Sequence, residues 1–149
     1  QPNFKFKFSE ENKALVNYQN PFKYLYEPNL AILKSGAFKT VALRFELEKL
    51  GPHTHLYTST KKIENFPGKT YCIDEILPYK KADIIKRLKG IKANLKTRNY
   101  PQTVAQIKKD FNTIDGGNQY IFFTSTESEK QVLLCSKLNP TGLDVSTTW

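Results

Sequence analysis

An α+β fold, with helices on one face of a small sheet, is the class this sequence predicts, and three observations predict it. From Thr70 onward the apolar residues alternate between a period of two and a period of about 3.6, in the order β-α-β-α-β-β. Hydrophobic residues are 39% of 149, with ten Phe, eight Tyr and one Trp, enough to pack one domain of ordinary size or two very small ones and too many for a disordered chain. Turn formers separate the periodic segments: Gly36, Asn65-Phe66-Pro67-Gly68, Gly90 and Asp115-Gly116-Gly117.

Taken in order, Phe4-Lys5-Phe6-Lys7-Phe8 alternates strictly and reads as a strand with one buried face. Ala14 to Tyr18 is a weaker second strand, and Asn20-Pro21 breaks the chain. Tyr24 to Asn29 leads into a helix near Leu30 to Ser35, with Pro28 near a first-turn position, and Gly36 punctuates it. Phe38, Val41, Ala42 and Phe45 form the stripe of an amphipathic helix that Leu50-Gly51-Pro52 ends. Leu56 and Tyr57 sit in a short extended piece. Thr70 to Ile76 is a strand, and Lys80 to Leu88 a helix with Ile84, Ile85 and Leu88 on one face. Ile91 to Thr97 is extended, and Thr103 to Phe111 is a helix through Val104 and Ile107. Tyr120 to Ser125 and Gln131 to Ser136 make a closing hairpin. Residues 139–149 read as a flexible tail.

The net charge is +9, and it is concentrated. Lys80, Lys81, Lys86, Arg87, Lys89, Lys92, Lys96 and Arg98 face a single acid in their stretch, Asp83. Such a cluster is the electrostatic footprint of a polyanion binder, or else a solvated helix face. A membrane surface fits less well, because the same helix needs its apolar residues for a core. The longest apolar runs, Tyr120 to Phe123 and Val132 to Cys135, are far from the roughly 18 residues of a span. No signal peptide pattern is visible. The absence of Met and the Gln-Pro-Asn start read as a piece of a longer protein. Cys72 and Cys135 lie inside strands and read as two buried thiols in a reducing cytosol, with a disulfide or a metal as alternatives.

A search for catalytic chemistry finds no convincing set. Gly116-Gly117 lacks the spacing and the strand-to-helix context of a nucleotide-binding turn. No P-loop and no G-x-S-x-G is present. His53 and His55 would share a face on a strand and could share a metal, but no further ligand stands at a familiar spacing, so hydrogen bonding or packing is the stronger reading. Glu10-Glu11, Asp74-Glu75 and Glu127 with Glu129 read as solvated surface. Lys96-Thr97-Arg98-Asn99-Tyr100-Pro101 is richer: cations reach phosphates, Asn can pair with base edges, and Tyr can stack on an unpaired base. A polar, Pro-bearing connection into a helix would use the same residue types. The candidate RNA-binding residues are therefore Lys80, Lys81, Arg87, Lys89, Lys92, Lys96, Arg98, Asn99 and Tyr100, with no catalytic and no metal-ligating residue.

These motifs resemble a bacterial family. Tyr24-Leu25-Tyr26-Glu27-Pro28-Asn29, Ala31-Ile32, Lys34 and Gly36-Ala37-Phe38 are similar to the segment after the catalytic core of certain class I S-adenosylmethionine-dependent methyltransferases, where it belongs to a small ferredoxin-like domain. His53 to Ser59 and Phe66-Pro67-Gly68 resemble the junction that follows. Thr97-Arg98-Asn99-Tyr100-Pro101 and Asp115-Gly116-Gly117 with Tyr120 resemble the markers of a THUMP-like domain, although Tyr100 stands where Phe is more usual. The resemblance implies a ferredoxin-like subdomain over 1–60, a THUMP-like domain over 61–138 and the tail over 139–149. It implies a cytoplasmic, C-terminal accessory region that lacks the methyltransferase core. RNA and that core would be its partners, and S-adenosylmethionine would be bound on the core and not on this chain. An interaction module that only packs on the core, without touching RNA, is the alternative. Where the clustered cations point decides between the two.

Overall fold

The computed structural model describes residues 4–138. Its elements are α1 (Phe8–Lys13), β1 (Tyr24–Pro28), α2 (Leu30–Ser35), α3 (Phe38–Arg44), β2 (Glu48–Gly51), β3 (Thr54–Ser59), β4 (Gly68–Leu77), α4 (Lys81–Leu88), β5 (Asn94–Arg98), α5 (Val104–Phe111), β6 (Gln119–Ser125) and β7 (Lys130–Leu138). All seven strands join one sheet in the order β2-β3-β1-β4-β7-β6-β5. Only the β5–β6 pair is parallel, with α5 as its crossover.

The β-α-β-α-β-β order from β4 to β7 is the one predicted, and local chemistry fixes it. Gly90 (φ +74°) ends the α4 unit, and its N–H donates to Asn112 O at 3.1 Å. The α5 helix opens with a reciprocal cap: Gln106 N–H donates to Thr103 Oγ1 at 3.2 Å and Thr103 N–H to Gln106 Oε1 at 2.8 Å. Before β4 the predicted helices α2 and α3 are found, with Gly36 as the left-handed cap (φ +79°).

Several expectations for the first half are corrected. Phe4 to Phe8 is not a strand: Phe8 opens α1, and Phe4 to Lys7 pair with no strand. The alternation reports two faces, with Phe4 and Phe6 half-buried and the lysines exposed, but no neighbouring edge supplies hydrogen bonds. Ala14 to Tyr18 reduces to one bridge, Tyr18 beside Lys49. Tyr24 to Pro28 is a buried central strand rather than a lead-in, and Pro28 closes it opposite Gly68 instead of starting a helix. Asn29 does the capping of α2, through Ile32 N–H at 3.0 Å. Glu48–Gly51 is a strand paired with β3, not merely the end of a helix unit. Glu11 is not free surface: its carboxylate accepts from Lys39 N–H, Thr40 N–H and Thr40 Oγ1 at 2.7–2.9 Å, capping α3 from α1. The predicted tail, 139–149, lies outside the described residues.

Strand alternation divides the core. Tyr26 and Tyr57 face α2 and α3 with Ile32, Val41 and Ala42. Ile121, Phe123, Val132 and Leu134 face α4 and α5 with Ile84, Leu88, Ile107 and Phe111. Both helix pairs cover the same face of the sheet. The opposite face gathers Leu25, Leu56, Tyr71, Phe122, Leu133 and Cys135 into a third cluster with Leu50. Among the described residues no helix covers it; the sheet curls over it, so that its two edges meet at one end. There Glu127 N–H donates to Leu50 O at 3.0 Å and Asn99 Nδ2 to Thr54 Oγ1 at 2.9 Å. Cys72 and Cys135 stand on the adjacent strands β4 and β7, with Cys72 opposite Ser136, and point to opposite faces.

Candidate functional site

The clustered cations separate by face. On the helix face, Ile84 and Leu88 hold α4 against the core, which turns Lys81, Lys86 and Arg87 outward, with Lys80 and Lys89 at the two ends and Lys92 beyond. All six are exposed. Arg87 Nε donates to Glu75 Oε1 at 3.1 Å; Lys80, Lys81, Lys86, Lys89 and Lys92 form no ion pair among the described residues. Beside them Tyr79 is 44% exposed, and its hydroxyl is paired with that of Tyr100. Tyr79 escaped the sequence reading because it precedes the helix stripe and looks like part of a Pro78 turn.

Tyr100 is set deeper. Its ring packs edge-on against Phe123 at 5.5 Å and against Tyr79 at 6.4 Å, next to the α4–α5 core. Burial and the Tyr79 hydrogen bond push its phenol well above the usual tyrosine range. Asn99 takes a left-handed turn (φ +53°), which Asn tolerates, and its amide is used in the edge closure.

Lys96 and Arg98 point the other way. On β5, Leu95 faces the helices, so Asn94, Lys96 and Arg98 face the curled side. Arg98 reaches across to β1, where its Nε donates to the Glu27 carboxylate and its guanidinium also meets Thr97 O at 2.8 Å. The Glu27 side chain is only 8% exposed and Arg98 37%, so the pair is a tie between distant strands. Lys69 of β4 stands opposite Glu27, and Lys137 of β7 opposite Tyr71, on this same side. Lys96 is pushed down by burial, against the pull of Glu27, with Lys69, Arg98 and Lys137 repelling it further. A groove of about 520 Å³ opens here, with Glu27, Lys69 and Arg98 as its polar wall and Pro28, Leu30 and Leu33 as its apolar wall.

Residues 24–67 match the ferredoxin-like domain family model and residues 68–137 the THUMP domain-like one. The chain is a ferredoxin-like domain joined to a THUMP-like domain. It is also similar, at 36% identity and a TM-score of 0.83, to the crystal structure of a candidate methyltransferase from Porphyromonas gingivalis W83. The alignment covers 91% of this chain and 35% of that one, so the chain spans about a third of its structural relative. No curated protein matches.

Within the THUMP-like domain, Gly116 and Gly117 have positive φ (113° and 79°) and lead from α5 into β6. A Cβ on Gly116 would meet the Lys92 side chain at 3.1 Å, so this turn is packed on a lysine and does not precede a helix. The turn runs from a helix into a strand, and so lacks the strand-to-helix geometry in which backbone amides cradle a cofactor's phosphate or ribose. In the ferredoxin-like domain, His53 lies in the exposed turn before β3, while His55 stacks on Phe38 with ring centroids 3.5 Å apart. Burial, with Lys49 and His53 nearby, lowers His55 to about 4, and its Nδ1 has no hydrogen-bond partner. Lys49, buried, donates to the carbonyls of Gly51, Pro52 and Thr54 at 2.5, 3.1 and 3.0 Å and holds that turn; burial lowers its amine to about 8. No group of three or more metal-ligating side chains comes together among the described residues. Among those residues no helix is long and apolar enough to cross a membrane.

Proposed function

We propose that this chain is the accessory, RNA-engaging region of a methyltransferase whose S-adenosylmethionine-binding core lies outside it. The observation that carries the reading is the row of exposed lysines along and after α4 that no acid answers among the described residues. Such cations lower the cost of bringing a polyanion to the surface, and they do so without choosing a sequence. Tyr79 adds a ring at the same edge, on which an unpaired base can stack. The THUMP-like match and the likeness to a candidate methyltransferase support RNA and a catalytic core as partners.

A second reading, a module that only packs on its core, draws on the Arg98–Glu27 tie and on Phe8, Leu15 and Leu43, which are 75%, 88% and 54% exposed. Fluorescence anisotropy with a single-stranded RNA separates the two. With about three to five phosphates neutralised, log affinity falls against log salt with a slope of about −2 to −4. No binding at low salt, or binding indifferent to salt, leaves only the packing reading.

A further inference from the structure

The two ends of α4 are built differently. At its start Tyr79 is tied at both its backbone and its hydroxyl. Lys80 N–H donates to Pro78 O at 2.8 Å and closes a tight turn around it. Its hydroxyl is paired with that of Tyr100, whose ring lies edge-on to it and packs edge-on against Phe123 in turn. A ring tied at two points is held ready in one orientation, and this one is still 44% exposed. Lys80 and Lys81 follow it directly, both exposed and without an ion pair among the described residues.

The other end, about 12 Å further along the helix axis, is cationic. Gly90 N–H, donating to Asn112 O at 3.1 Å, joins the end of α4 to that of α5. Lys89 and Lys92 thereby share this end with Lys109, which is exposed because Ile107 and Phe111 turn the opposite side of α5 to the core. The acids nearby are engaged: Asp115 accepts from Lys108 at 2.6 Å and Asp110 from Gln102 at 3.1 Å. Asp83 is the one acid on α4 itself.

We infer that the α4–α5 face selects a single strand over a duplex. The strand lies along α4, with phosphates on Lys89, Lys92 and Lys109 at one end and an unpaired base stacked on Tyr79 at the other. This rests on the RNA reading above and adds the class of RNA and the residue that chooses it. Phosphates are common to paired and unpaired RNA, so the lysines carry no preference for an unpaired strand. A duplex keeps its base faces inside its own stack, and a ring takes only a base that is splayed out. Affinity is supplied along the two helices; choice sits at Tyr79.

The test titrates the 149-residue chain with an unpaired dodecaribonucleotide and with the duplex it forms with its complement, over one salt series, with thermal melting of every variant. The readout is the ratio of the two affinities. Tyr79→Ala lowers the preference for the single strand about tenfold, as the loss of one stacked base does, and leaves both salt slopes unchanged. Tyr79→Phe keeps the preference. Tyr79→Leu, with bulk but no flat ring, replaces Tyr79→Ala if that variant does not fold. Lys109→Gln makes the slope shallower by about 0.7 on the single strand and about 0.9 on the duplex, with the ratio held within about twofold. The inference is overturned if folded Tyr79→Ala or Tyr79→Leu keeps the unaltered preference, or if Lys109→Gln leaves both slopes unchanged. Failure of both ligands to bind, or binding indifferent to salt, removes the RNA reading and the inference with it, so the two failures are told apart.

Discussion

The α4 surface and the β5 strand hold cations from one stretch of sequence, yet they use them in opposite ways. Along α4 the lysines stand outside a helix whose inner face alone is needed for packing, so their charge is available. On β5 the same residue types face the inside of a curled sheet, where Lys96 is half-buried and Arg98 is spent on Glu27. Charge density along a chain therefore measures how many cations are near one another. The fold decides which of them can meet a ligand, because a helix and the strand that follows it deliver their side chains to different faces.

The comparison breaks first at Arg98. Arg98→Ala strands the Glu27 carboxylate without a partner. Full burial would put the loss near the 3–5 kcal/mol of a severed buried pair, and the partly open guanidinium reduces it to about 2–3 kcal/mol. Urea unfolding reads it, and Arg87→Gln on α4 is the control, changing stability by about 0.5 kcal/mol or less because both partners are solvated. Equal losses from the two would erase the distinction.

Next is Tyr79. Tyr79→Ala costs about 1–2 kcal/mol of single-stranded RNA affinity if a base stacks there, whereas Tyr100→Phe leaves affinity unchanged and lowers stability by about 1 kcal/mol through the lost hydroxyl pair. A loss of affinity per folded molecule in Tyr100→Ala, with Tyr79→Ala unchanged, would move the stacking ring inward to Tyr100.

A smaller effect sharpens the account in the ferredoxin-like domain. His55 is lowered from its ordinary value to about 4 in the fold. Between that value and about 6.5 the unfolded chain binds the proton and the folded one does not, so stability is complete above pH 6.5 and falls as the pH drops toward 4. The loss is about 1–2 kcal/mol after allowing for partial solvation, and His55→Phe flattens it. A melting temperature that rises on acidification would contradict the burial of this ring.

The THUMP-like half was legible because each element carries its own signal: the Thr103–Gln106 cap, Gly90 after α4, the unbroken apolar run Tyr120 to Phe123. The ferredoxin-like half was less so. Its β2 is four residues long with a buried lysine, and β1 ends in a proline that resembles a helix start. The grouping of lysines on the curled side was not legible at all. Lys69 and Lys137 lie on β4 and β7, far apart in sequence, and only the pairing register puts them on one face with Lys96. Nor could spacing reveal that Arg98 would find Glu27, since β1 and β5 are separated in the sheet by three strands and meet only through its curl.

The central claim is that the lysines along and just after α4 are free for a polyanion and the fold does not need them. It is tested most directly by the salt dependence of RNA binding in the double variant Lys81→Gln, Lys89→Gln, with thermal melting on the same samples. The account predicts an unchanged melting temperature and a slope of log affinity against log salt shallower by about 1.4, about 0.7 for each phosphate that the two lysines no longer neutralise on a single strand. An unchanged slope with intact folding, or a melting temperature that falls with the slope, would contradict it.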